Sequence, residues 1–204
     1  MANFVSIIRI FIALISAFLL FTYTDAAYIT AIILAIIAFS FDGLDGYLAR
    51  KLHEESKLGA VLDIMGDRIV EAVYWIVFAV LGYLSHIIWV NALFPVICIT
   101  RAFTVDSIRS VALSKGFTAF GSSTMQSTKL GKFICASRFM RITYAVAKIA
   151  AFGIIMIAHI PSVELMDIAP AISDVGIILA WFAIILCVLR GLPVILEAKN
   201  IIKD

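Results

Sequence analysis

Charge is scarce in this chain. Only 15% of its 204 residues are Asp, Glu, Lys or Arg, against about a quarter in an ordinary soluble domain. That shortage excludes a disordered polar segment and a typical water-soluble enzyme. Cysteine is rarer still. Cys98, Cys135 and Cys187 stand far apart in apolar runs, which excludes a disulfide scaffold, and no pair has metal-knuckle or redox spacing. They are expected to be small core residues. A net charge of +2 gives no basic surface for nucleic acid. Proline occurs four times; Pro95 and Pro193 fall inside apolar runs, a position that spanning helices tolerate better than soluble ones.

Apolar bulk takes the place of charge. Hydrophobic residues make up 63% of the chain and the mean hydropathy is +1.09. These values predict an all-α polytopic membrane protein, a single domain over residues 1–204. A span with its connection takes about 20 to 25 residues or more, which leaves room for roughly six transmembrane helices. Six apolar runs are present: Asn3 to Tyr23, Ala26 to Leu52, Leu58 to Leu84, Ile88 to Leu113, Gly131 to Ile160 and Ala171 to Ala198. The first lacks a basic leader and is long enough to span, so it is expected to be a helix rather than a cleaved signal. Ser114 to Lys129, with Gly116, Gly121 and several Ser and Thr, reads as the longest loop.

The connections after the first, third and fifth runs hold no Lys or Arg. Those after the second and fourth carry Arg50, Lys51, Lys57, Lys115 and Lys129, and the C-terminal tail carries Lys199 and Lys203. The positive-inside rule then predicts both termini on the cytoplasmic side of the cell membrane.

Several ionisable residues lie within the runs. Asp42 and Asp45 fall near the cytoplasmic end of the second, and Asp63 and Asp67 near the start of the third. Arg101, Asp106 and Arg109 are on the fourth, Arg138 and Arg141 on the fifth, Arg190 on the sixth. Charges at membrane depth cost at least about 2.5 to 3.5 kcal/mol each, so they are expected to face one another or water in one inward-open polar cavity. The i, i+3 and i, i+4 spacings put each aspartate pair on one helix face. Four close carboxylates repel unless cations neutralise them. Oxygen-only donors suit magnesium or manganese. Gly43, Gly46, Gly59 and Gly66 interleave with the carboxylates, where the missing side chains allow close approach of a ligand or a helix.

The run Asp42-Gly43-Leu44-Asp45-Gly46-Tyr47-Leu48-Ala49-Arg50, then eight residues, then Gly59-Ala60-Val61-Leu62-Asp63-Ile64-Met65-Gly66-Asp67 resembles the signature of the CDP-alcohol phosphatidyltransferases, with each fixed position matched. The resemblance implies an enzyme that moves a phosphatidyl group from CDP-diacylglycerol to an alcohol with release of CMP, in phospholipid biosynthesis. It implies two divalent ions, Mg2+ or Mn2+, held by Asp42, Asp45, Asp63 and Asp67, with Asp67 also the catalytic base. Gly46, Arg50 and Gly59, with Ser56, would contact the CDP-lipid. Homodimers are common in that family. A second stretch, Asn3-x2-Ser6-x2-Arg9, is similar to one on the first helix of many relatives. It puts Arg9 either near the same cytoplasmic end or out at the interface as a snorkelling side chain.

The cations of the last three runs bear on the acceptor. Forked arginines suit a phosphate, which points to a small phosphorylated alcohol held by Arg109, Lys132, Arg138 and Arg190. The alternative for these cations is positive-inside topology with anionic lipid contact. Thr100-Arg101, Ser107-Ile108-Arg109-Ser110 and Lys129-Leu130-Gly131-Lys132 are similar to phosphatidylglycerophosphate synthases, though Ala102 stands where those enzymes carry Glu. That likeness implies glycerol 3-phosphate, with inositol phosphate as the alternative acceptor. Outside the class, intramembrane carboxylates also mark divalent-cation transporters, but beyond Glu71 the outer halves of the first, third and sixth runs hold only Asp174, too little to continue such a path.

Overall fold

The computed structural model describes residues 2–51, 57–116, 126 and 128–199, and of residues 2, 3, 42–51, 57, 58, 60 and 136 the backbone alone. Each regular element among the described residues is helical. Helix α1 (Ala2–Leu19) ends in a 3-10 turn (Leu20–Thr22). Then come α2 (Asp25–Lys51), α3 (Lys57–Leu81), α4 (Ile88–Ser114), α5 (Lys129–Ala136), α6 (Arg138–Ala158), the short α7 (Pro161–Glu164) and α8 (Ala169–Glu197). Phe4–Thr22, Ile88–Ser114, Lys129–Ala158 and Ala169–Glu197 are long and apolar enough to cross a membrane. Helix α2 is apolar over Asp25–Phe41, and α3 interrupts its apolar run with Asp67, Arg68 and Glu71.

The fifth run departs from the expected single helix. It breaks at Ser137, whose ψ of 143° is extended. Ser137 ends α5 and caps α6 at once, its Oγ accepting from the Met140 N–H at 3.2 Å. A serine hydroxyl offers the backbone this alternative to a continued helix. Pro95 and Pro193 lie inside α4 and α8, as expected, and the three cysteines are free and buried.

Side-chain size sorts in the sense a bilayer demands. On α2, Ala27, Ala31, Ala35 and Ala38 are buried while Ile29, Ile33 and Ile36 are exposed. On α1, Ala13 and Ala17 are buried while Phe4, Phe11, Ile15 and Phe18 face outward. In water such faces would be apolar patches seeking cover. Against lipid tails large side chains gain little by burial, and small ones let helices approach.

The chain forms two compact units. The first comprises Met1–Pro95 and Phe152–Ile177. Its centre is aromatic: the Phe152 ring lies 4.8 Å from Trp75, edge to face, and 5.1 Å from Tyr74. Three helices are tied by one polar chain, in which the Tyr74 hydroxyl donates to Ser16 Oγ at 2.8 Å and Ser16 donates to the Ala31 carbonyl at 2.7 Å. Both side chains are fully buried. Ser16→Ala strands the tyrosine hydroxyl, whereas Tyr74→Phe leaves the serine bond intact. Ser16→Ala is therefore expected to destabilise by about 1–3 kcal/mol, and by more than Tyr74→Phe. Unfolding of both variants from mixed micelles measures the order, and the reverse order would remove the chain's energetic role.

Polar and aromatic contacts gather at one end of this unit, where the turns after α1, α3 and α6 meet. Tyr23, in a left-handed conformation, donates to Glu164, and Asp25 accepts from the Ser162 N–H at 2.9 Å. The Tyr28 and Tyr83 hydroxyls pair, and Tyr83 stacks on His159. Asn91 closes the α3–α4 turn by accepting from the Leu84 and Ser85 N–H groups, each at 3.0 Å. This aromatic belt suits a membrane interface. It occupies the end of α2 and α3 opposite to their aspartates.

The second unit comprises Val96–Ala151 and Ile178–Asp204. Val105, Ala112, Cys135 and Val194 form a buried apolar cluster there. Thr128 caps α5 by accepting from the Gly131 N–H at 3.1 Å, and donates to Glu197 at 2.7 Å. The Cys135 thiol donates to the Arg190 carbonyl.

Candidate functional site

In the first unit, α1 packs against both α2 and α3. Helix α3 carries Asp63 and Asp67 one turn apart, and their side chains are 50% and 48% exposed. Half-exposed carboxylates on one face present oxygen donors and leave room for the further oxygens that a hard divalent ion requires. This donor set fits magnesium or manganese. Gly59 lies half-buried in the first turns of α3. Asp42, Asp45, Gly46 and Arg50 belong to the helical stretch of α2, but their side chains lie outside the described residues, as does Ser56 altogether.

The side chain that does reach the α3 carboxylates is Arg9. It is only 2% exposed, so it is not a snorkelling residue. Its Nη2 lies 3.3 Å from Asp67 Oδ1 and 3.8 Å from Asp63 Oδ1, and donates to the Asp63 backbone carbonyl at 3.3 Å. The guanidinium fills the space left by Gly66, where an added Cβ would stand 2.6 Å from Nη2. That glycine thus admits an arginine of a neighbouring helix. Glu71, which drew no attention in the sequence, is buried, with Arg68 Nη1 3.8 Å away; its i, i+3 spacing from an arginine was the available signal.

In the second unit the four cations expected at an acceptor phosphate differ in exposure. Arg109 and Arg190 are half-buried on α4 and α8, while Lys132 and Arg138 are exposed. Arg138 loses depth because the break at Ser137 makes it the first residue of α6. The buried place beside Arg190 belongs to Arg101, which is 8% exposed. Arg101 Cγ would lie 3.0 Å from a Cβ added at Gly191, so this arginine too is admitted by a glycine. Arg101, Arg109, Tyr144 and Cys135 all lie close enough to act on Arg190. Its guanidinium also lies 5.3 Å from the Tyr144 ring centroid. The buried Nε atoms of Arg101 and Arg190 have no hydrogen-bond partner among the described residues. Buried donors without acceptors are costly, and forked guanidiniums suit an anion.

A comparison with protein-family models matches residues 1–189, nearly the whole chain, to the family described as CDP-alcohol phosphatidyltransferase.

Proposed function

The chain belongs to the CDP-alcohol phosphatidyltransferase family, a family of phosphotransferases, and on that premise we propose that it transfers the phosphatidyl group of CDP-diacylglycerol to glycerol 3-phosphate, as phosphatidylglycerophosphate synthases do. The observation that carries the acceptor is the gathering of three arginines in the second unit, Arg101 buried and Arg109 and Arg190 half-buried, with Arg101 and Arg109 both acting on Arg190. A phosphorylated alcohol offers forked guanidiniums an anion to bind, and a neutral alcohol does not. Arg138 and Lys132, at the exposed edge, would draw the anion in.

The chemistry follows from charge. A pyrophosphate cannot approach four carboxylates unaided, so Asp42, Asp45, Asp63 and Asp67 would hold two divalent ions, Mg2+ or Mn2+. When bound, such ions neutralise the pyrophosphate, orient it for in-line attack and stabilise the leaving CMP. Arg50 would fork onto a phosphate oxygen, and Gly46 and Gly59 would let the cytidine diphosphate lie close to the backbone, with Ser56 beside it. The acceptor oxygen attacks the phosphorus that carries the lipid. A new P–O bond forms, the bond to the bridging oxygen breaks, and Asp67 takes the hydroxyl proton. The leaving oxygen departs with CMP.

The topology follows from the Lys and Arg distribution: one membrane domain over residues 1–204 with six spans, both termini cytoplasmic, in the cell membrane. The lipid tails then stay in the bilayer while the headgroup meets the aspartates at the inner interface. A homodimer is the assembly the family resemblance favours.

An acceptor screen tests this reading. Purified protein with CDP-diacylglycerol and Mg2+ is offered glycerol 3-phosphate, inositol 1-phosphate, inositol, serine or phosphatidylglycerol, and CMP is measured. Release with glycerol 3-phosphate alone is the expected result. Release with inositol 1-phosphate alone would keep the phosphate site and change the acceptor. Release only with an uncharged alcohol would discard the role given to the arginines.

A further inference from the structure

We infer that Arg9 is a positioning residue of the reaction: from α1, lodged in the notch at Gly66, it fixes Asp63 and Asp67 in place and is their counter-charge until cations arrive. This rests on the proposed roles of those two aspartates. Two independent observations carry it. One nitrogen, Nη2, lies 3.3 Å from Asp67 Oδ1 and 3.8 Å from Asp63 Oδ1 while donating to the Asp63 carbonyl. The same nitrogen occupies the only direction in which a side chain at 66 could grow, 2.6 Å from where its Cβ would be.

Burial makes the arrangement informative. A guanidinium taken out of water costs several kcal/mol unless it is paired. A long cationic side chain on a membrane helix ordinarily escapes that cost by reaching for the interface. Arg9 does not escape. It stays 2% exposed while both of its carboxylate partners remain half exposed. The buried partner is thus the rigid one, held by α1, and the open partners are the ones free to meet a ligand. The bond to the Asp63 carbonyl sets where the fork stands along α3, and from there the ion pairs limit the rotamers of the two carboxylates. An attacking hydroxyl needs its base within hydrogen-bond reach, and a displacement of about 1 Å is worth up to about a hundredfold in rate.

Metal ions and Arg9 are also alternative counter-charges for the same oxygens. Loss of Arg9 should therefore matter most where no metal is present. A residue that only packs α1 against α3 would make no such distinction.

The test uses the full-length protein in detergent with four variants: Arg9→Ala, Arg9→Lys, Gly66→Ala and the Arg9→Ala/Gly66→Ala double. The first readout is melting temperature in EDTA and in excess Mg2+. The expected result is a larger loss for Arg9→Ala in EDTA than in Mg2+, and equal losses would overturn the inference. The second readout is kcat against donor KM. Arg9→Ala and Gly66→Ala should each lower kcat by about tenfold to a hundredfold with donor KM changed by less than about threefold, and Arg9→Lys should fall between them and the parent. The double variant should be no slower than Arg9→Ala alone, because the alanine at 66 acts by displacing a guanidinium that is no longer there. Multiplying losses would assign Gly66 to the ligand and overturn the inference. Should Arg9→Ala fail to fold, Gly66→Ala decides alone, since alanine favours the helix; parental kcat in that folded variant would overturn it. An inactive Asp67→Asn beside active Arg9 and Gly66 variants defeats only this inference, whereas an active Asp67→Asn defeats the reading on which it rests.

Discussion

Asp67→Asn releases CMP about 10²–10⁴ times more slowly than the parent at saturating substrates, while CDP-diacylglycerol still binds. The substitution is close to isosteric, so the side chain keeps its shape and position on α3. It loses the ability to accept the hydroxyl proton, and it loses one anionic ligand of a proposed metal. The fold is expected to hold, because the buried Arg9 keeps Asp63 as its counter-charge together with its bond to the Asp63 carbonyl. Donor affinity is expected to hold because the groups proposed for the nucleotide, Gly46, Arg50 and Gly59, are untouched. Single-turnover CMP release, with binding of a CDP-lipid followed separately, separates the two quantities. A variant that turns over at a tenth of the parental rate or better would remove Asp67 from the role of base. A variant that fails to bind the donor would make it chiefly a ligand for the metal that carries the pyrophosphate.

Asp67 stands out in the sequence as a candidate, whereas Arg9 stays open there between the same cytoplasmic end and a snorkelling position, for a physical reason. The aspartates betray themselves locally: i, i+4 spacing on an apolar helix is visible to anyone who asks what a charge is doing at membrane depth. Arg9 sits among Ile8, Ile10 and Phe11, and the same sequence serves a snorkelling side chain and a buried one. The difference lies in Asp63, 54 residues away, and in a glycine whose empty side could have faced lipid, ligand or helix. Helix existence was legible throughout, since α2 covers Asp25–Lys51 where the apolar run covers Ala26 to Leu52. The break at Ser137 was not. Its neighbours Ala136 and Phe139 continue the apolar pattern, and a single extended residue leaves hydropathy unchanged. That one residue carries Arg138 to the start of α6 and to the surface. Among the acceptor candidates, the sequence gives the sign of the charge, and only packing decides depth. Arg101 gained its buried place because Gly191 leaves room for its stem.

The acceptor side makes the second large prediction. Arg109→Ala raises the KM for the phosphorylated acceptor by about tenfold to a hundredfold and the KM for CDP-diacylglycerol by less than about threefold. A hydrogen bond to a charged group is worth about 1.5–3 kcal/mol, and each 1.4 kcal/mol is a factor of ten, which sets the range. The selectivity follows from the proposed division of roles. Arg109 is half-buried on α4 in the second compact unit, and its charge bears on Arg190 and Cys135, whereas the proposed donor ligands all lie on α2, α3 and the residues between. Arg190→Ala should give the same split with a further cost in stability, because it also removes the cation over the Tyr144 ring. Lys132→Ala, at an exposed position, should shift the acceptor KM only modestly and only at low ionic strength, as a steering charge does. Equal rises in both KM values for Arg109→Ala would mean that this arginine supports the fold. An unchanged acceptor KM in both the Arg109 and Arg190 variants would turn the arginine group into a lipid-headgroup contact and point the acceptor to the uncharged alcohols.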